Sequence, residues 1–502
     1  MYIMSKEGCK NIDKQTINEI GVPSIVLMEI AGERISKEIL KLDDFLVVCG
    51  IGNNGGDGLV IARKLKALGK SIRVIVVGDI EKGTKDFKIN FEILKKLNLD
   101  ILNINKDNFN RKIKENIFKL KIDSSNCLID ALFGVGLNRK IEGIYARIIE
   151  IINDSKIFTI SIDTPSGIDA NTGEVLNIAV KADITFTIEV MKKGFFNTKA
   201  IEYLGEVNLI SIDILEEIKR KNSEDMYILS EEFYKSLVPK RNKIGNKGSY
   251  GKVLIMAGSS EYTGAAYITT EATIRTGSGI VTLLIHKDSE EVLKAKSIES
   301  IVFGYLSVED VVDLENYDVI ALGPGIGKSK LSADVLEFII KSSKCNLVLD
   351  ADALNIISER KDLIDFIKGR SIITPHPGEM SRLLGKSISY IESNRIDVTR
   401  EFAKENEVVV LLKGHNTVIS DGKCTYVNKT GCSKMASGGM GDCLTGIITS
   451  LVSQNLSNLK ATLLGAYVHG YIGDSLGESR YIVNARDIIL ELPKTLEKLC
   501  EK

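Results

Sequence analysis

Two consecutive α/β domains are what the sequence predicts, and three observations carry that expectation. Short β-branched runs alternate with helically spaced apolar patterns, and the alternation starts twice. A charged stretch poor in core-formers, Leu215 to Asp225, separates the two series. At 502 residues the chain also exceeds what one hydrophobic core organises. The expected division is 1–214 for the first domain, 215–225 for a charged linker and 226–502 for a larger second domain.

In chain order, Thr16 to Leu40 carries apolar residues at helical spacing, interrupted by Gly21-Val22-Pro23, and predicts one or two helices. From Phe45 to about Ile214, the runs "FLVVCG", "IRVIVVG", "CLID", "IFTISID", "ADITFTI" and "VNLISID" predict a parallel sheet with helices on both faces. Beyond the charged stretch, "GKVLIMAGS", "IVTLLIH", "DVIALGPGIG", "NLVLDADAL", "SIITPHPGE" and "VVVLLKGHNTVIS" predict a second such sheet. The halves share a class and no period, so no internal repeat is expected.

Composition narrows the function. Lys+Arg of 66 against Asp+Glu of 67 leaves a net charge of −1, which makes no electrostatic case for nucleic acid or an anionic membrane. Small-molecule partners are expected. The eight cysteines are scattered without C-x-x-C spacing, so neither a zinc site nor a disulfide framework is indicated. The start "MYIMSKEGCKNIDKQ" lacks the apolar core of a signal peptide, and no apolar run approaches a bilayer span. A cytoplasmic protein is the expectation.

The first strand runs into "CGIGNNGGDGLV", where Gly50, Gly52 and Gly55 formally match a dinucleotide fingerprint. Asp57 argues against that reading, because it places a carboxylate near the helix start that a pyrophosphate would occupy. Two further strand-end stretches, "LIDALFGVGLNR" and "SIDTPSGIDA", bring oxygen donors to the same end of the sheet. Asn54, Asp130 and Ser166 could together surround a hard cation. Taken alone, Asn53, Asn54 and Asp57 read more readily as turn and cap residues.

In the second half, "MASGGMGDCLTGII" runs a small-residue loop directly into a helix. Gly438, Gly439 and Gly441 let backbone N–H groups approach a phosphate, and Asp442 stands where a base for a substrate hydroxyl belongs. By itself the loop reads equally as Ser437 capping the helix while Asp442 complements its dipole. Glycine loops after the strands at Ala321 to Gly327, Thr374 to Glu379 and Leu411 to Thr417 tip the balance towards a crevice, with Lys413 as a cation for phosphate. His376 and His415 fall in these loops, whereas His286 and His469 are read as structural or exposed residues near element ends.

These second-half stretches resemble the ribokinase-like superfamily and, more narrowly, its ADP-dependent NAD(P)H-hydrate dehydratase branch. "NKGSYGKVLIMAGS", "TGAAYITTEA", "GPGIG", "DADALN", "TPHPGEMSRLLG", "LLKGHNTVI" and the loop ending in Asp442 stand in that family's order over most of Lys240 to Gly470. Asn246 departs from a common histidine and Cys432 from a frequent asparagine. The resemblance implies that hydrates of NADH and NADPH are restored at the expense of ADP or ATP, with Mg2+ accompanying the nucleotide. It places Ala266, Gly327, His376 and Asp442 at the hydrate, and Lys413, Gly414, His415, Asn416, Thr417 and Gly441 at the nucleotide. Asp442 would activate the ring hydroxyl for phosphorylation, after which phosphate leaves and the double bond returns.

The first half resembles the NAD(P)H-hydrate epimerase family, a Rossmann-like three-layer domain often fused to that dehydratase. This resemblance covers roughly Asn11 to Ile214. It implies hydrate contacts at Asn53, Asn54, Gly55, Gly56, Asp57, Gly134, Val135, Gly136, Leu137, Asn138, Arg139, Lys140, Tyr145 and Asp163, with potassium at Asn54, Asp130 and Ser166. Lys192 is a weaker candidate at the pocket edge. Asp163 ends a strand ahead of the rigid turn Thr164-Pro165-Ser166-Gly167, which makes it the choice for proton transfer over a plain turn carboxylate. The rival reading is a vitamin-type kinase carrying a non-catalytic N-terminal binding module, against which Asp57, Asp130 and Asp163 stand together. A homo-oligomer is expected.

Overall fold

The computed structural model describes residues 1–109, 121–122, 125–311 and 313–500. The chain divides into two compact units, Met1–Met226 and Tyr227–Lys502.

The first unit is built on a seven-stranded, wholly parallel sheet. In chain order its strands are β2 (Asp44–Cys49), β3 (Ser71–Val77), β4 (Asp100–Ile104), β5 (Cys127–Ala131), β6 (Phe158–Ile162), β7 (Ile184–Ile188) and β9 (Glu206–Ile210). A separate short pair joins β1 (Ile3–Met4) to β8 (Met191–Lys192). The spatial order β4-β3-β2-β5-β6-β7-β9 reverses direction between β2 and β5, so the loops leaving those two strands diverge and open a crevice. Apolar alternation fills both faces. Phe45, Val47 and Cys49 pack with Leu59, Ile61 and Leu65 of the helix Asn53–Ala67, while Leu46 and Val48 pack with Ile148, Ile149 and Ile152 of the helix Gly143–Ser155. The result is a Rossmann-like three-layer arrangement.

The first helix begins earlier than its apolar spacing predicts, at Lys6, because Ser5 caps it by accepting from the Gly8 N–H. A turn of π-helix, Thr16–Ile20, ends at left-handed Gly21, and a second helix runs from Ser24 to Glu38. β4 is absent from the sequence-derived series. It is an edge strand in which Ile101 is only partly buried, so its pattern is weak.

Leu215 to Asp225 is not a free linker. Glu216–Lys221 forms a helix whose Ile218 is buried with Met4, Ile12 and Ile214. Its Lys219 pairs at 2.8 Å with Glu189, a side chain only 2% exposed. One of the charges that read as solvated, Lys219, is the cover of a buried acid.

The second unit carries a ten-stranded sheet, ordered β10-β19-β18-β17-β16-β15-β14-β11-β12-β13. Its strands are β10 (Met226–Tyr227), β11 (Lys252–Met256), β12 (Ile280–His286), β13 (Ile301–Tyr305), β14 (Val319–Leu322), β15 (Asn346–Leu349), β16 (Ser371–Ile373), β17 (Val409–Leu412), β18 (Thr417–Ser420) and β19 (Thr425–Asn428). The pairs from β13 through β17 are parallel, and β17-β18-β19 is an antiparallel meander. The order reverses between β11 and β14, again opening a crevice. β13 and β19 also lie outside the sequence-derived series; in β13, Ile301 and Phe303 face solvent at an edge.

Behind the crevice, the helix Met440–Ser453 is buried along nearly its whole length. It meets the helix Thr263–Thr276 at Gly446, where a Cβ would stand 2.4 Å from the Thr269 carbonyl oxygen. Among the described residues, no helix is long and apolar enough to cross a membrane.

A first unit ending at Met226 should unfold cooperatively, whereas one ending at Ile214 should aggregate, because it exposes Glu189 and the Met4–Ile12 face. In the full chain, Lys219→Met leaves a buried carboxylate unpaired and should cost roughly 3 kcal/mol. A thermal midpoint of the first unit within about 2 °C of wild type would contradict that role for Lys219.

Candidate functional site

The first unit encloses a cavity of about 570 Å³ at the β2/β5 crevice. The turn after β2 is tight: a Cβ on Gly55 would lie 1.9 Å from the Gly50 carbonyl oxygen, and one on Gly56 would lie 2.6 Å from Met28 Cε. Both glycines are therefore packing residues and do not line the cavity, in contrast to their expected place at a ligand. Gly52 caps the helix without a side chain, leaving its first N–H groups free. Asn53, Asn54, Asp57, Gly134, Val135, Gly136, Leu137, Asn138, Arg139, Tyr145 and Asp163 line the cavity together, while Lys140 is exposed outside it.

Asp130, one residue from the end of β5, is fully buried. Its Oδ2 accepts from Ser161 Oγ and the Ser166 N–H, both at 2.9 Å, and its Oδ1 from Ser166 Oγ at 2.6 Å and the Leu132 N–H at 3.2 Å. Burial nonetheless pushes its carboxyl above the usual range. Four bonds fill a carboxylate's lone pairs, so Asp130 anchors the loops in place of serving as an open cation ligand. Asn54 differs: its Oδ1 and Nδ2 are buried with no partner among the described residues.

Asp163 sits at φ +65°, a strained conformation for a side chain other than glycine. Its Oδ2 accepts from the Val135 N–H at 3.2 Å, and its Oδ1 meets Lys192 Nζ at 2.6 Å. Lys192 is thus central and buried, not at the pocket edge. It also donates to the Ile188 and Val190 carbonyls at 2.8 and 3.1 Å. Lys6 Nζ, donating to the Leu137 carbonyl at 2.5 Å, ties the Gly134–Lys140 loop down. Tyr145 donates to the Val77 carbonyl at 3.3 Å, and its ring packs on Phe133. Asp13, Asp86 and Glu189 also line the cavity. They come from two helices and the bend after β7, and nothing in the sequence spacing marks them.

In the second unit, Lys413 Nζ meets Asp350 Oδ1 at 2.5 Å, and Thr445 Oγ1 donates to Asp350 Oδ2 at 2.7 Å. Lys413 is therefore engaged before any phosphate arrives. Burial pushes the Asp350 carboxyl up, but the Lys413 ammonium and the hydrogen bonds outweigh it and hold it low. Sequence reasoning assigned Asp350 no role, although its place at the end of "NLVLD" was a usable signal. The start of the helix Met440–Ser453 lies directly on this pair: a Cβ on Gly441 would be 3.2 Å from Lys413 Nζ.

That helix has left-handed Gly439 (φ +85°) as its N-cap and no side-chain cap, so Ser437 does not cap it. Open space lies over Gly438. Burial first, and the Asp350 charge second, raise the Asp442 carboxyl to about 6. Gly414 to Thr417 are propped from below by Arg395, which is 1% exposed and donates to the Leu412 and Lys413 carbonyls at 3.1 and 3.0 Å.

Gly327 donates to Asp352 Oδ2 at 3.0 Å and has open space above it. His376 caps the helix Pro377–Leu384 through Nδ1, which accepts from the Gly378 N–H at 2.9 Å. Ala266 is fully buried beneath Gly258, which leaves it no surface for the expected ligand contact. His469 lies in the middle of the helix Asn458–Gly477, away from any element end. Burial and Lys413 lower its imidazole to about 4, against a hydrogen bond to the Met440 carbonyl.

A family model described as NAD(P)H-hydrate dehydratase matches residues 253–494, and one described as YjeF-related protein N-terminus matches residues 24–194. The chain is similar to a bifunctional NAD(P)H-hydrate repair enzyme of Moorella thermoacetica, with 32% identity over 100% of this chain and 98% of that protein. To the enzyme of the same name from Coxiella burnetii it is 34% identical over 92% of each. Among solved structures, a ribokinase-like superfamily protein of Enterococcus faecalis matches with a TM-score of 0.51 and 27% identity, over 55% of this chain and 98% of its own.

Lys413→Met would strand Asp350, whose side chain is 1% exposed. A loss of about 3–5 kcal/mol in the second unit is expected, read from chemical denaturation. Asp350→Asn, which leaves no buried anion, should cost less; equal stability of Lys413→Met and wild type would rule the ion pair out as a support.

Proposed function

The chain belongs to the family of bifunctional NAD(P)H-hydrate repair enzymes, and from that premise we infer how its two units share the work. The enzyme interconverts the R and S hydrates of NADH and NADPH and dehydrates the S form back to the intact cofactor. We assign epimerisation to the first unit and dehydration, driven by ADP or ATP, to the second. The vitamin-type kinase reading is not favoured, because the similarity to repair enzymes spans both units.

One observation carries the second assignment: an uncapped helix start, half-buried at Gly439, Gly441 and Asp442, with a carboxyl raised to about 6 beside a lysine. The free N–H groups from Gly439 onward and the helix dipole receive the terminal phosphates. Lys413, shared with Asp350, adds positive charge to them. Asp442 takes the proton from the ring hydroxyl as that oxygen attacks phosphorus. The ring then expels phosphate, a far better leaving group than hydroxide, with the C–O pair leaving on the phosphate; the neighbouring ring carbon gives up its proton to water, and that C–H pair restores the double bond. Among the described residues, no group of three or more His, Cys, Asp or Glu side chains is arranged to hold a metal ion. Mg2+ is accordingly proposed to arrive on the nucleotide's own oxygens.

In the first unit the orphaned Asn54 carboxamide fits a cation such as potassium; Ser166 Oγ and Asp130, hydrogen-bonded to each other at 2.6 Å, are proposed as its further oxygen donor and its source of charge. Such a cation would neutralise phosphate charge. Asp163 is proposed as a proton-transfer group, set in place by Lys192 and the Val135 amide. The eight free cysteines suit a reducing compartment, and we place the protein in the cytoplasm.

Asp442→Asn should lower dehydration by about 10²–10⁴-fold with nucleotide affinity little changed. A base must be deprotonated to act, so wild-type kcat/KM should be flat above pH 7 and fall as pH drops through about 6. An unchanged rate in Asp442→Asn would sink the mechanism. For the cation, Asn54→Ala should slow epimerisation and flatten its response to added potassium, leaving dehydration of the S hydrate intact; a potassium response like that of wild type would remove Asn54 from the cation's shell.

A further inference from the structure

The cavity of the first unit has an acidic wall. Asp13, Asp57, Asp86 and Asp163 line it with Glu189. Two of these five are neutralised: Glu189 by Lys219 at 2.8 Å and Asp163 by Lys192 at 2.6 Å. Asp86 accepts a hydrogen bond from Ser24 Oγ at 2.6 Å. Asp57 is buried, with Asp163, Asp13 and Asp86 as its charged neighbours and no cation among them. Such a wall suits a group that becomes positive, while Lys10 and Arg139, which line the cavity as well, are the cations left to meet the substrate's phosphates.

The chemistry of the substrate says where a positive charge arises. A dihydronicotinamide is an enamine: it protonates on the carbon β to nitrogen and adds water at the carbon beside nitrogen. The hydroxyl of the hydrate therefore sits next to the ring nitrogen, whose lone pair can expel it once it is protonated. What remains is a planar iminium ring, open to water on both faces.

Resting on the epimerase assignment of this unit, we propose that it inverts the hydrate through a ring iminium cation, with Asp57 delivering the proton to the departing hydroxyl and the acidic wall stabilising the cation. The C–O bond breaks with its electron pair on oxygen, the nitrogen lone pair forms the C=N bond, and water leaves with Asp57 as a carboxylate. A second water adds to the opposite face; the C=N pair returns to nitrogen and the water's proton passes to Asp163. One water leaves and one enters, and proton return from Asp163 to Asp57 through cavity water closes the cycle. Burial first, and the three neighbouring carboxylates after it, hold the Asp57 carboxyl well above the usual range and so favour its protonated form.

The full-length enzyme is given one epimer of NADH hydrate in water enriched in oxygen-18, against an enzyme-free control. One solvent oxygen in the hydroxyl for each inversion, with no solvent deuterium at that carbon in a parallel D2O reaction, is expected. An inverted product that keeps its original oxygen overturns the proposal. No inversion above the control overturns the epimerase assignment instead, so the two failures are distinct. Asp57→Asn, which removes the proton but relieves charge repulsion, should slow inversion by about 10²-fold or more, with dehydration of the S hydrate as the internal control of folding. Inversion by Asp57→Asn at the wild-type rate eliminates Asp57 as the donor.

Discussion

A carboxylate taken out of water must be paired or saturated with hydrogen bonds, and each unit is arranged around one such group at the carboxyl end of its sheet. In the first it is Asp130, whose four hydrogen bonds from Ser161, Leu132 and Ser166 pull the loops after β5 and β6 together. In the second it is Asp350, which binds Lys413 from the loop after β17 and Thr445 from the central helix. Neither residue needs to touch a ligand to be indispensable. Each fixes the strand-end loops from which ligand-facing groups project.

Close backbone approach is the second requirement, and glycine meets it differently in the two units. Around Gly50 to Gly56 the glycines bring the helix Asn53–Ala67 down onto the strand ends, so the residues between them, Asn53 and Asn54, reach the cavity. At Gly439 the left-handed turn starts a helix with no side-chain cap, and the open space over Gly438 leaves room for a ligand. One glycine cluster builds a wall and the other leaves an opening.

The two proton-handling carboxyls arise from the same balance with different partners. Asp442 feels burial and Asp350, but Lys413 moderates the shift, and its carboxyl comes to rest at about 6, where it can lose its proton and act as a base. Asp57 is buried among Asp163, Asp13 and Asp86 without such a cation, and its carboxyl is held well above the usual range, the direction that the proposed donor role requires. A lysine beside one carboxyl and its absence beside the other divide base from acid.

Strand-end motifs lie in continuous sequence, so the α/β class and the glycine turns were legible from local pattern and from resemblance, which also singled out Asp442, Lys413, Asn54 and Asp163 as candidates. The edge strands β4 and β13 were not, because an edge faces solvent and loses the apolar alternation that marks a strand. Lys219 read as linker charge, since only folding brings it to Glu189, thirty positions earlier. Likewise Asp13, Asp86 and Asp57 come from three helices whose spacing along the chain carries no sign of a shared cavity. Sequence by itself determined which groups stand at the strand ends; tertiary structure alone decided which of them share a low-dielectric space, and charge, proton affinity and function follow from that proximity.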